Sequence, residues 1–207
     1  MSIEEFAKQR AVHVTVGGTY VLPKWYDCEG KLRTFACRTK RVSPYRMIVD
    51  APVVAKVGDR ITTYFEDFGE IQSTVSDLAR HGFLMELEMP RERRAWMSEK
   101  LKWLEKKKRE PKIQELRDDA RFVPQICNTI LTLADGSTYS CFIIDVSCTG
   151  VAVSSSYEPS IGTPLAVGAC VGRVLRKFAS GFAVQFAHKQ PRANLHRLIA
   201  YNHTASI

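Results

Sequence analysis

Residues 141–153 read CFIIDVSCTGVAV and repeat an earlier segment, residues 37–49, which reads CRTKRVSPYRMIV. Aligned without a gap, the segments share four identical positions: Cys37 with Cys141, Val42 with Val146, Ser43 with Ser147, and Val49 with Val153. The likeness continues on both sides, since Glu29-Gly30 matches Asp135-Gly136, residues 57–61 parallel residues 160–165, and His81-Gly82-Phe83 parallels Ser180-Gly181-Phe182. The sequence therefore predicts two copies of one small unit, near residues 12–90 and 120–190.

Each copy has the pattern of short β-strands. In the second copy, β-branched and aromatic residues predict strands at residues 126–133, 139–144, 150–154, 170–177 and 182–186. Five or six short strands at this spacing favour an antiparallel barrel or sandwich. The chain shows no strand–helix–strand alternation and contains neither GxxxxGK[ST] nor GxGxxG. A dinucleotide-binding α/β fold is therefore disfavoured.

Composition narrows the class of protein further. The 207 residues carry 30 Lys+Arg against 22 Asp+Glu, a formal net charge of +8, which suggests an anionic partner where the charge is clustered. No apolar run is long enough for a membrane span, and residues 1–10 lack the apolar core of a secretory signal. The six cysteines are scattered without a CxxC pair. We therefore expect reduced thiols in a cytoplasmic protein, with no metal site and no cofactor.

A basic segment separates the two copies. Residues 91–117 hold 11 Lys+Arg against 5 Asp+Glu, which accounts for six of the eight net positive charges. A helix is predicted there, with one apolar face formed by Trp96, Met97, Leu101, Trp103 and Leu104, and Pro111 should end or kink it. The two tryptophans are interpreted as packing residues rather than base-stacking platforms. A second helix is predicted after Pro191, with Leu195, Leu198 and Ile199 as its apolar stripe.

Two short motifs flank the start of the second copy. Arg117-Asp118-Asp119-Ala120-Arg121 is an RxxxR motif, and Asp145-Val146-Ser147-Cys148-Thr149-Gly150 is a DxSxxG motif that begins 24 residues after Arg121. Separately each is ordinary, because a basic linker yields RxxxR by chance and Asp-x-Ser with glycine is common turn chemistry. Their order, spacing and β context together are specific.

The pair of motifs resembles the PilZ family of bacterial cyclic di-GMP receptors. The resemblance covers the second copy from Arg117 through the C-terminal helix, and it implies a six-stranded antiparallel β-barrel with that helix. We therefore expect a mainly β protein: a degenerate PilZ-like barrel at residues 12–90, a basic helical linker at residues 91–116, and a PilZ domain at residues 117–203. The resemblance also implies a non-enzymatic receptor that acts through a downstream protein in motility, biofilm or surface polysaccharide control.

By the same resemblance, cyclic di-GMP would lie on the outside of the second barrel, bound by Arg117, Arg121, Asp145, Ser147 and Gly150. The residue chemistry agrees with these roles. An arginine fork pairs with guanine O6 and N7 or with phosphate oxygens, and the Asp145 carboxylate can accept from the guanine N1–H and N2–H₂ edge. Gly150 suits a positive φ or a close approach of the ligand.

Simpler interpretations remain for the same residues. Arg117 and Arg121 could be solvated linker charge, and Asp145 and Ser147 could cap their own turn. Asp118 and Asp119 would lie awkwardly beside an anionic ligand unless they point away or pair with the arginines in the free state.

The first copy departs from the motif pattern. Arg41 stands where the second copy has Asp145, Arg46 stands in place of Gly150, and only Ser43 is retained. This copy is therefore expected to bind no dinucleotide. The echo of DxSxxG at residues 77–82 falls in the last hairpin and is discounted.

Two other classes of function stay open: an interaction adaptor without a ligand, and a nucleic-acid-binding module that uses the basic linker. Nucleic-acid binding is disfavoured because the predicted strands lack interleaved aromatic and basic residues.

Overall fold

The computed structural model describes residues 2–7, 11–108 and 121–200. The chain divides into two compact units, Met1–Gln114 and Glu115–Ile207. Each unit has its own hydrophobic core.

The first unit is a closed antiparallel barrel of six strands. Its elements in chain order are α1 (Ile3–Ala7), β1 (Gly17–Tyr26), β2 (Leu32–Val42), β3 (Arg46–Asp50), β4 (Arg60–Phe65), β5 (Gly69–Ala79), β6 (Gly82–Glu88) and α2 (Arg91–Lys108). The strand order around the barrel is β1-β2-β3-β6-β5-β4.

The second unit repeats this barrel. Its elements are β7 (Asn128–Leu133), β8 (Thr138–Ser147), β9 (Gly150–Ser155), β10 (Pro164–Val167), β11 (Cys170–Phe178), β12 (Gly181–Phe186) and α3 (Arg192–Ile199). The strand order β10-β11-β12-β9-β8-β7 is the same circle as in the first unit. The predicted fold, two six-stranded antiparallel barrels with a C-terminal helix, is confirmed. The five predicted strands are present, and β10 is an additional strand that begins at the end of the repeated segment at residues 160–165 and continues to Val167.

The two barrels match down to their irregularities. The β2–β3 register shifts after Thr39, and the β8–β9 register shifts after Ile143, its partner in the repeat. Gly58 and Gly162 have φ of 92° and 85°, and each N–H donates to a strand carbonyl at 2.8 Å. These shifts place an extra residue, a β-bulge, at the same point of β2 and β8, and a bulge increases the local twist of its strand. The repeat seen in the sequence is thus a repeat of geometry.

Helix α2 packs into the core of the first barrel. Met97, Leu101 and Leu104 are buried there, whereas Trp96 and Trp103 are each 49% exposed. The predicted apolar face is confirmed for the three aliphatic residues and wrong for the two tryptophans, because only one side of a helix can face a core. The predicted effect of Pro111 lies outside the described residues.

Helix α3 closes the second core as predicted. Leu195 and Ile199 are fully buried, and Leu198 packs against the same core as a partly buried residue. Burying two large aliphatic side chains contributes about 3 to 6 kcal/mol before entropy is counted. Among the described residues, no helix has both the length and the apolar character needed to cross a bilayer.

Candidate functional site

The segment that leads into the second barrel is attached to it at Phe122. The Phe122 N–H donates to the Val146 carbonyl and the Val146 N–H donates to the Phe122 carbonyl, both at 2.9 Å. The Phe122 ring lies 4.8 Å from the His196 ring, and the Arg192 guanidinium lies 4.9 Å from the Phe122 centroid. These contacts hold Arg121, the preceding residue, beside β8.

Arg121 and Asp145 form an ion pair. One guanidinium nitrogen, Nη1, lies 3.3 Å from Asp145 Oδ1 and 3.4 Å from Oδ2. The side chains are 59% and 30% exposed. An exposed pair of this kind contributes only about 0.2 to 1 kcal/mol. The guanidinium and the carboxylate therefore lie together, and the weak attraction between them leaves both able to bind another group.

The β8–β9 register shift explains why Asp145 is available. Ile143 and Val146 are fully buried, yet Asp145 lies between them and is partly exposed. Regular alternation would place Ile143 and Val146 on opposite faces. The extra residue at this point lets both face the core and leaves Asp145 outside.

Ser147 is engaged within its own turn. Its hydroxyl accepts the Thr149 N–H at 3.4 Å, donates to the Gly150 carbonyl at 3.3 Å and lies 3.3 Å from the Thr149 hydroxyl. Ser43 makes the corresponding turn in the first unit, where its hydroxyl accepts the Arg46 N–H at 3.0 Å. The interpretation as a turn cap thus holds for Ser147, while Asp145 pairs with Arg121 instead.

Gly150 is required by the barrel. Its φ is not in the left-handed region, and a Cβ at this position would lie 2.5 Å from the Val184 carbonyl oxygen of β12. Of the two alternatives expected for Gly150, a positive φ or a close approach, the positive φ is not found. The close approach at Gly150 is made by the neighbouring strand of its own barrel, so the fold alone accounts for this glycine.

Of the five predicted ligand residues, four lie within the described part of the chain. The structure brings Arg121 and Asp145 into contact and places Ser147 and Gly150 in the hairpin that follows Asp145. Arg117, together with Asp118 and Asp119, lies outside the described residues.

The anchor formed by Phe122, Arg192 and His196 was not predicted. The signal for it was an aromatic residue immediately after a charged segment.

Beyond the anchor, a cavity of about 270 Å³ is lined by Pro124, Gln125, Ile126, His196 and Ala200. It shares no residue with the Arg121–Asp145 pair. Within the described ranges, no group of three His, Cys, Asp or Glu side chains could hold a metal ion.

The first unit lacks the ion pair at the equivalent place. Its isolated bridge between Val12 and Val42 corresponds to the bridge between Phe122 and Val146, so Ala11 occupies the position of Arg121. Arg41 stands in place of Asp145, and its guanidinium lies 5.9 Å from the Phe6 ring of α1. Acceptor and cationic fork are both replaced in this unit.

Comparison with known proteins found similarity at the level of solved structures. No family model matches the chain, and no curated protein matches it. The crystal structure of the Borreliella burgdorferi PlzA protein in complex with c-di-GMP has 14% identity and a TM-score of 0.30, covering 96% of this chain and 90% of that chain. The K. pneumonia MrkH–c-di-GMP complex has 14% identity and a TM-score of 0.28, with coverages of 89% and 83%. The Bacillus subtilis inhibitor of motility, MotI/DgrA, has 12% identity and a TM-score of 0.29, with coverages of 92% and 95%.

Proposed function

We propose that this protein is a non-enzymatic cyclic di-GMP receptor of the PilZ type, with its ligand on the outer face of the second barrel. The observation that carries the proposal is the Arg121–Asp145 pair. It supports the proposal because a cationic fork and a carboxylate acceptor, the two groups that could recognise guanine, lie together in the motif context that resembles this family.

The two side chains match different edges of guanine. The Arg121 fork can donate to O6 and N7 or to a phosphate oxygen. The Asp145 carboxylate can accept from N1–H and N2–H₂. Because the exposed pair is worth only about 0.2 to 1 kcal/mol, a ligand can separate it at little cost. The anchor at Phe122 limits how far Arg121 then has to move.

Binding would couple the ligand to the segment before the barrel. Arg117 and Arg121 would both contact the ligand, so binding would bring the ligand between residues 117–121 and the barrel. We propose that this change alters the orientation of the two units or the binding of a downstream protein. The extent of the shift is limited by the difference in ligand affinity between the two states.

Isothermal titration calorimetry with cyclic di-GMP tests the proposal. We expect binding by the wild-type protein and a loss of about 2 kcal/mol, roughly 30-fold in affinity, for Arg121→Ala. Arg197→Ala is the matched control, since it removes an exposed arginine from α3 of the same unit. Absence of binding by the wild type, or equal affinities for the Arg121 variant and the control, would refute the proposal.

A second candidate function is nucleic-acid binding by α2. It is favoured by Trp96 and Trp103, which are half-exposed and seven residues apart on a basic helix. Seven residues make about two helical turns, so both rings lie on one side. This function predicts steeply salt-dependent binding of single-stranded DNA that is lost in the double tryptophan-to-alanine variant. A gel shift across a salt series measures it.

A further inference from the structure

A row of four residues crosses the outer face of the second barrel and begins at Asp145. The strand registers pair Asp145 with Ala152, Ala152 with Ala183, and Ala183 with Arg176. These residues lie on β8, β9, β12 and β11, which are neighbours in the closed barrel. At a strand spacing of about 4.8 Å, the row spans about 14 Å. It therefore has an acceptor at one end, a cation at the other and two methyl groups between them.

The first barrel has the same row with different residues. There the registers pair Arg41 with Ile48, Ile48 with Leu84, and Leu84 with Asp77. The charges at the two ends are exchanged, and two large aliphatic side chains replace the alanines.

In the first barrel this row is covered by α1. Phe6 is fully buried and packs against Ile48 and Leu84. The Arg41 guanidinium lies 5.9 Å from the Phe6 ring at one end, and Asp77 Oδ2 accepts the Ile3 N–H at 2.7 Å at the other. The outer row of this barrel therefore holds an aromatic ring in its middle, with a cation facing that ring at one end and a hydrogen-bond acceptor at the other.

The repeat thus indicates what the second row can hold. Ala152 is 7% exposed and Ala183 is partly exposed, and their methyl groups occupy less space than the side chains of Ile48 and Leu84 do. An aromatic ring could therefore lie over this pair. The residue at the far end of the second row, Arg176, is a cation, so this end suits a negatively charged group. Within the described ranges, Arg176 is exposed and forms no ion pair.

We propose that Arg176 is a ligand-binding residue that contacts a phosphate of the bound dinucleotide, while Ala152 and Ala183 lie beneath a guanine ring. This inference rests on the proposed function. It orients the ligand: the guanine edge meets Asp145, the ring lies over the two methyl groups, and a phosphate extends toward β11. The arginine fork suits a phosphate because two N–H groups can donate to it at once.

The test compares the affinities of Arg176→Ala and Lys177→Ala for cyclic di-GMP by calorimetry. Lys177 is the matched control because it is the next residue on β11, is also exposed and carries the same charge. Lys177 pairs with Phe182, and Phe182 pairs with the buried core residue Val153, so Lys177 lies on a different row from Asp145. We expect affinity to fall about tenfold to 100-fold for Arg176→Ala and less than threefold for Lys177→Ala. Arg176→Lys should recover part of the loss, since it retains the charge without the fork.

A second pair of variants tests the space above the row. Ala152→Ile and Ala183→Leu introduce the residues of the first barrel and should weaken binding at least tenfold, with unfolding temperature measured alongside. If the wild type binds and Arg176→Ala binds equally well, the inference is overturned and the proposed function stands. If the wild type does not bind, the proposed function itself fails.

Discussion

Substituting Gly150 by alanine separates a requirement of the fold from a requirement of the ligand. In the PilZ resemblance this glycine belongs to the ligand motif, but the structure gives it a role within the barrel. An added Cβ would lie 2.5 Å from the Val184 carbonyl oxygen, where real Cβ atoms stay beyond 3.0 Å. The neighbouring strand would have to move away, and backbone cannot rotate aside as a side chain can.

The size of the effect follows from two opposing contributions. Forcing extra volume into a packed site costs about 1 to 3 kcal/mol. Removing a glycine from a strand returns about 0.5 to 1 kcal/mol, since the unfolded chain loses freedom. Taking the middle of each range, we therefore expect Gly150→Ala to lower the free energy of unfolding of the second barrel by about 1 kcal/mol.

The three tryptophans, Trp25, Trp96 and Trp103, all lie in the first unit. Urea unfolding followed by tryptophan fluorescence therefore reports on the first barrel, and far-UV circular dichroism reports on both. Gly150→Ala should shift the circular dichroism transition to lower urea and leave the fluorescence transition unchanged.

Gly172→Ala is the matched control outside the motif, because its Cβ would lie 2.3 Å from the Gln185 carbonyl oxygen of the same strand β12. The two variants should be destabilised to a similar extent. If Gly150→Ala unfolds at the wild-type urea concentration yet loses cyclic di-GMP binding, the reasoning is refuted, and the glycine serves the ligand.

Three further predictions concern the first unit. Phe6→Ala should lower the free energy of unfolding by about 1.5 to 3 kcal/mol, the value of burying one phenylalanine, because α1 can detach instead of leaving a cavity. Urea unfolding followed by fluorescence measures this loss, and a loss above about 4 kcal/mol would contradict the prediction. Burial raises the pKa of the Asp50 carboxyl, so its contribution to stability is present at acid pH and lost as the pH rises through the folded-state pKa. The stability of Asp50→Asn relative to wild type should therefore increase from acid to neutral pH, and a constant difference in urea unfolding would count against it. Cys28 is exposed and the other five cysteines are buried, with burial raising the pKa of the Cys37 and Cys141 thiols; mass spectrometry should therefore find a thiol reagent on Cys28 alone in the native protein, and a second modified cysteine would disprove this.

Much of the fold was predictable because its signals are local. The segments around Cys37 and Cys141 align without a gap, and the turn glycines recur at matching places. Alternation of apolar residues and turn chemistry act over a few neighbours, so they can be read along the chain. The stripe of α3 at Leu195 and Ile199 was predictable for the same reason.

The orientation of α2 was only partly predictable. Helical spacing grouped Trp96 and Trp103 with Met97, Leu101 and Leu104, since all five fall within one broad arc. Which part of that arc is buried depends on the width of the barrel surface it meets. The width of that surface cannot be predicted from the sequence of the helix.

The sequence by itself determined that this protein has two copies of one β unit and where five strands of the second copy lie, and it predicted that Arg121 and Asp145 act together. Tertiary structure decided that the guanidinium of Arg121 meets the carboxylate of Asp145, that β12 approaches Gly150 too closely for a side chain, and that Arg176 shares a row with Asp145. The reason is closure of the barrel. Hydrogen bonding between β9 and β12 joins strands that are far apart in the chain, and a row across strands exists only once their register is set.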